Sequence, residues 1–191
     1  LALKNRFATL EVFPMKKSLL SLCAALLVFS GAAVTAKAAD QPTVGSPAPT
    51  FSLPSQDGTP ISLDSLKGKW VVLYFYPKDM TQGCTIEAHN FQRDLEKFNA
   101  AGAVILGVSV DSVDSHKQFC AKDSLTFHLL SDGDHKVVES YGSLGGWNGV
   151  AMAQRNTFLI DPQGKVAKVW TKVDPSHHSE EVLAALAELK K

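Results

Sequence analysis

The segment Trp70-Val71-Val72-Leu73-Tyr74-Phe75 constrains the fold of this chain most. It has strand length and no polar alternation, so a strand made from it is covered on both faces. Val104 to Val110 is a second run of the same kind. Between the two, Phe91, Leu95 and Phe98 recur at helical spacing among polar residues, and Gly102 supplies a stop. Strand, helix, strand is the building unit of a sheet with helices packed against it.

The other elements are shorter. Residues 39–50 read as an extended lead-in. Strands are expected over 51–53 and 61–63, joined by the turn string Ser55-Gln56-Asp57-Gly58, with a turn or short helix over 64–68. A helix follows over 113–122, with Asp111, Ser112 or Asp114 as its cap. A strand is expected over 127–130 and a short helix over 135–141. The glycine-rich stretch Gly142 to Ala153 reads as a loop. Thr157–Ile160 and Val166–Val173 flank Asp161-Pro162-Gln163-Gly164 as a hairpin. A last helix starts at Ser179 and turns Val182, Leu183, Leu186 and Leu189 inward. This order predicts one α/β domain over 39–191 with parallel and antiparallel strands in one sheet. The pattern alone also admits a flavodoxin-like fold.

Residues 1–38 stand apart. Met15-Lys16-Lys17 opens a charged segment, Ser18 to Val34 is apolar, and Ala36-Lys37-Ala38 is an A-x-A cleavage site. Met15–Ala38 therefore has the anatomy of a secretory signal peptide, with 1–14 as a leader before it. The expectation is an exported, periplasmic protein, free of the membrane after processing. An uncleaved N-terminal anchor is the alternative. Cys23 lies in the apolar segment behind Leu22, which does not suit a lipoprotein cysteine. Beyond residue 38 there are 14 basic and 18 acidic side chains, a net charge of −4, which gives no basic footprint for nucleic acid. Cys84 and Cys120 remain, and an exported pair is often a structural disulfide.

Cys84 is the chemical focus. The string Tyr76-Pro77-Lys78-Asp79-Met80-Thr81-Gln82-Gly83-Cys84-Thr85 follows the first apolar run directly, and Ile86 to Ala101 read as a helix. The cysteine thus sits in or near a first helical turn, where free N–H groups and the helix dipole favour an anion such as a thiolate. A free thiol of pKa about 8.5 is roughly 3% ionised at pH 7, so ionisation alone gains only about 30-fold in reactivity. A fast reaction also needs donors for charge developing on a leaving group.

Pro77-x-x-x-Thr81-x-x-Cys84 resembles the active-site signature of the peroxiredoxins, and YFYPKDMTQGCTIEA is most similar to their peroxiredoxin Q, or bacterioferritin-comigratory-protein, branch. VGSPAPTFSLPSQDG at 44–58, VILGVSVDSVDSHKQF at 104–119, FHLLSD at 127–132 and QRNTFLIDPQGKVAKVW at 154–170 match in order. The resemblance implies a thioredoxin-like fold with an N-terminal strand extension. It implies a thiol-dependent peroxidase with Cys84 as the attacking cysteine, Thr81 and Arg155 as donors to sulfur or peroxide, and Pro77 shielding the sulfur. No cofactor or metal is implied. The substrate would be hydrogen peroxide or an organic hydroperoxide, the reductant thioredoxin-like or another dithiol, and the protein a monomer. Taken singly, Thr81 also suits a helix N-cap, Arg155 a surface charge and Pro77 a strand end.

Many members of that branch carry a second cysteine five residues after the first; here His89 stands there. Some place it on the next helix, which makes Cys120 the implied resolving partner in an intramolecular disulfide. The bland reading of Cys120 is a small apolar residue beside Phe119. A Cys84–Cys120 bond would need Cα atoms within about 7 Å, hence local unwinding. His89, His116 and the pair His177-His178 read as surface residues, and Trp147 and Met152 as loop packing or the border of a peroxide entrance. An exported thiol–disulfide oxidoreductase would show C-x-x-C, absent after Cys84. A non-catalytic holdase-type binding protein is the reading of a different class.

Overall fold

In the computed structural model, which describes residues 40–191, a small hairpin of β1 (Ser52–Pro54) and β2 (Pro60–Ser62) is followed by a 3-10 turn at Leu63–Leu66. Then come β3 (Trp70–Phe75), α1 (Gln82–Ala100), β4 (Ala103–Ser109), α2 (Val113–Asp123), β5 (His128–Ser131) and a short α3 (Lys136–Ser140). The chain continues through β6 (Leu144–Trp147), β7 (Val150–Ala153), β8 (Asn156–Ile160), β9 (Val166–Thr171) and α4 (His178–Leu189).

Five strands form the main sheet in the order β5-β4-β3-β8-β9. β3, β4 and β5 run parallel, whereas β8 lies antiparallel to β3 and β9 antiparallel to β8. The antiparallel strand beside the central one rules out a flavodoxin-like sheet, whose core strands are parallel. β3 is central because its residues are apolar on both sides. Val71, Leu73 and Phe75 join one buried cluster; Val72 and Tyr74, with Tyr76 just beyond, join the other. The first cluster is closed by Phe51, Leu53 and Leu63 of the N-terminal extension and by Val137, Val138 and Tyr141. α1, α2 and α4 close the second with Ala88, Phe91, Phe98, Phe119, Val182 and Leu186. Gly107 of β4 faces this side because a Cβ there would lie 2.7 Å from Leu129 and from the Tyr74 ring.

Four sequence expectations need correction, three of them in the fold itself. Gly142–Ala153 is no loop: β6 and β7 pair from Leu144↔Ala153 to Trp147↔Val150. Asn148 and Gly149 close this hairpin with φ of 51° and 78°, the two positive values a tight type I′ turn needs, which Asn-Gly adopts readily. His178 is buried, not solvated. It stands edge-on to Phe91 and Trp170, and its Nε2 lies 2.8 Å from the Thr157 hydroxyl. Burial, helped by the charge of Arg155, pushes its pKa down to about 4. Leu189 is exposed in the last turn of α4, while Val182 and Leu186 point inward. The signal-peptide and leader assignments lie outside the described residues.

Candidate active site

The loop leaving β3 brings the sulfur to the end of the sheet's central strand. Tyr76 is still tied to β4, its N–H donating to the Val108 carbonyl at 3.0 Å. Half-buried Pro77 follows, and Met80 takes φ 57°. Thr81 occupies the N-cap position of α1 in extended conformation. The Thr85 N–H bonds back to the Thr81 carbonyl at 2.9 Å, so the N–H groups of Gln82, Gly83 and Cys84 precede the first bond of the helix. Cys84 is therefore in the first turn, as the sequence predicts, and is only 2% exposed.

Arg155 stands between β7 and β8, 71 positions along the chain, and its Nη2 reaches to 3.5 Å from the Cys84 Sγ. A Cβ on Gly83 would meet that guanidinium at 3.2 Å, so glycine before the cysteine leaves room for the approach. Nη1 donates to the Oε2 of Glu87, one helical turn after Cys84 and fully buried. Burial pushes the Glu87 pKa up to about 7, against the pull of Arg155. Burial works against the charge of Arg155, but Glu87 and Cys84 outweigh it and raise the pKa of the guanidinium. Glu87 is the site residue that sequence reading missed. Its place three residues after Cys84, on the same helical face, was the available signal.

The remaining candidates are placed less directly. The Thr81 hydroxyl is exposed; it donates to the Lys78 carbonyl at 3.0 Å and makes no cap bond. Its lone pairs remain free to accept. Cys120, on α2, belongs to the same buried cluster as Cys84, and both thiols are free. Burial, with the nearby charge of Asp79, pushes the Cys120 pKa up to about 11. His89 is exposed and reaches Asp123 at the end of α2 at 3.0 Å. His116 is not a surface residue: it is fully buried, with Nδ1 2.8 Å from Asp79 Oδ2. Trp147, at the tip of the β6–β7 hairpin, is 69% exposed.

A buried cysteine in the first turn of a helix, with a guanidinium on its sulfur and a mixed sheet behind it, defines a cysteine-dependent enzyme on a thioredoxin-like scaffold. Residues 44–169 match the AhpC/TSA family. A putative peroxiredoxin bcp of Coxiella burnetii is 47% identical over 147 residues, covering 75% of this chain and 97% of that protein. Peroxiredoxin Bcp of Xanthomonas campestris is 46% identical over 146 residues, covering 73% and 91%. Among solved structures, Xanthomonas campestris Peroxiredoxin Q superposes with a TM-score of 0.71 at 43% identity, over 74% of this chain and 92% of that one. Peroxidoxin BcpB from Mycobacterium tuberculosis gives 0.74 at 34% identity, over 79% and 100%. The chain belongs to the AhpC/TSA family. Its likeness to Bcp and Q proteins makes it a peroxiredoxin, a thiol-dependent peroxidase.

Proposed function

We propose that Cys84 reduces hydroperoxides and that Cys120 resolves the product. The Cys84 thiolate attacks the nearer oxygen of R–O–O–H, the O–O bond breaks, the sulfur becomes sulfenic acid, and the leaving oxygen departs as an alcohol, or as water from hydrogen peroxide. The observation that carries this reading is the Arg155 guanidinium at the sulfur, 3.5 Å from Sγ. It supplies fixed positive charge and donors where the O–O bond breaks, and Glu87 anchors its other nitrogen. With its own proton given to the Lys78 carbonyl, the Thr81 hydroxyl accepts from the peroxide O–H at the helix N-terminus, and Pro77 limits water at the sulfur.

Attack of Cys120 on the sulfenic acid would give a Cys84–Cys120 disulfide and release water. In support, Xanthomonas campestris Peroxiredoxin Q has been solved with either of two cysteines changed to serine, and those two are 36 positions apart, as Cys84 and Cys120 are. A thioredoxin-type dithiol would then reduce the disulfide. The Met15–Ala38 pattern supports export to a periplasm, with a donor resident there, and we take the working form to be a monomer.

Cys84→Ser tests the core of this. Thiol-dependent peroxide consumption should vanish while the circular dichroism spectrum is kept. Unchanged turnover would remove Cys84 from the reaction.

A further inference from the structure

The loop that delivers Cys84 is bound to the helix that carries Cys120 by a buried polar cluster. At its centre is Asp79, 4% exposed. Oδ1 accepts from the Tyr76 hydroxyl at 2.7 Å; Oδ2 accepts from the Ser115 hydroxyl at 2.7 Å and lies 2.8 Å from His116 Nδ1. The Asp79 N–H donates to Asp111 Oδ2 at 2.8 Å, which also accepts from the Ser109 hydroxyl at 2.8 Å. Burial pushes the Asp79 carboxyl up, but His116, Tyr76 and Ser115 together hold it below its usual value. An ionised carboxylate only accepts, so Nδ1 of His116 carries a proton. Three of these bonds join residue 79 to residues 111, 115 and 116.

That stretch leads directly to Cys120. His116 and Cys120 are one helical turn apart, and both are buried. Phe119 between them packs on the Tyr76 ring at a centroid distance of 6.5 Å. The first turns of α2 are therefore held to the Cys84 loop at one carboxylate. A buried thiol whose pKa is about 11 is protonated at neutral pH and is a poor nucleophile. Exposing Cys120 to water removes the burial that keeps it so. Motion of α2 away from Asp79 would thus free the thiol and permit the Cα approach a disulfide requires.

We propose that Asp79 and His116 are positioning residues for the resolving step, forming a clasp that holds the Cys84 loop against α2. The inference rests on Cys120 being the resolving cysteine. Closed, the clasp keeps Cys84 in the peroxide-reducing arrangement. Open, it lets the Cys120 sulfur attack the sulfenic sulfur, forming the S–S bond and expelling water. The competing fate of the sulfenic acid is reaction with a second hydroperoxide, whose oxygen it takes to become sulfinic acid while an alcohol or water leaves. The grip of the clasp sets the partition between these two products.

His116→Gln and Asp79→Asn test it by stopped-flow and intact mass with hydrogen peroxide. Loss of a charge-assisted buried bond should speed disulfide formation about tenfold and lower the sulfinic share at excess peroxide by a similar factor. Resolution at the wild-type rate with the same sulfinic share would overturn the clasp. Slower resolution in His116→Gln would also overturn it, giving the imidazole a proton-accepting role instead. Wild-type protein and Cys120→Ser separate this from the underlying reading. If wild-type protein forms no disulfide, or Cys120→Ser still forms one, the resolving role of Cys120 fails and the clasp as stated fails with it. Should the clasp variants not fold, amide exchange of the reduced wild-type protein decides. Residues 79–85 and 113–120 must open together and more readily than β3, and independent opening refutes the clasp.

Discussion

Replacing Glu87 with glutamine keeps the shape of the side chain and an oxygen for Arg155 but removes its charge. The carboxyl is buried beside that guanidinium, and its pKa moves from 4.5 to about 7. At about 1.4 kcal/mol per pH unit, this links roughly 3 kcal/mol of stability to its titration. The sign follows from proton counting. Between 4.5 and about 7 the folded state keeps a proton that the unfolded state has lost, so wild-type stability falls as pH rises through that window. Below 4.5 the contribution is intact, and above about 7 it is gone. Glutamine has no such slope. The stability of Glu87→Gln minus that of wild type should therefore rise by about 3 kcal/mol across the window, whatever constant offset the exchange of a neutral carboxyl for an amide adds. Taking the difference also cancels groups that titrate alike in both proteins. Urea unfolding of the reduced proteins at a series of pH values measures it. A flat difference would mean that Arg155 overcomes burial and keeps the carboxylate ionised, and would refute the reasoning.

His178 works in the opposite sense. Its pKa is lowered from 6.5 to about 4, so the unfolded state binds the extra proton and stability is lost as pH falls through that interval. His178→Gln should remove about 3 kcal/mol of that acid sensitivity in the same unfolding series, and an unchanged slope would contradict its burial. Arg155→Lys keeps a positive charge but not the fork that reaches Cys84 and Glu87 together. The second-order rate of Cys84 oxidation, followed by stopped-flow, should fall about 100-fold; a change under about threefold would remove Arg155 from the reaction. Gly107→Ala would put a methyl 2.7 Å from Leu129 and the Tyr74 ring, and should cost about 1–3 kcal/mol in thermal or urea melts.

Much of the fold was legible because it is written in short-range patterns. The run at 70–75 announced a strand covered on both sides, and Phe91, Leu95 and Phe98 announced the helix that follows Cys84. The β6–β7 hairpin was also locally encoded, in Asn148-Gly149, but the glycines around that pair masked it as a loop. The histidines were misread for another reason. Polar residues near a helix start usually face water, and only the partners Asp79 and Thr157 make burial of His116 and His178 affordable.

Local sequence determined the strands, the helices and the first-turn position of Cys84, because side-chain periodicity and turn chemistry act over a few neighbouring residues. Tertiary structure decided the rest: the antiparallel placement of β8 beside β3, the meeting of Arg155 with a sulfur 71 positions away, and the tie between Asp79 and α2. Those contacts depend on how strands pair and which side chains can share a buried charge, quantities that exist only once distant segments have packed together.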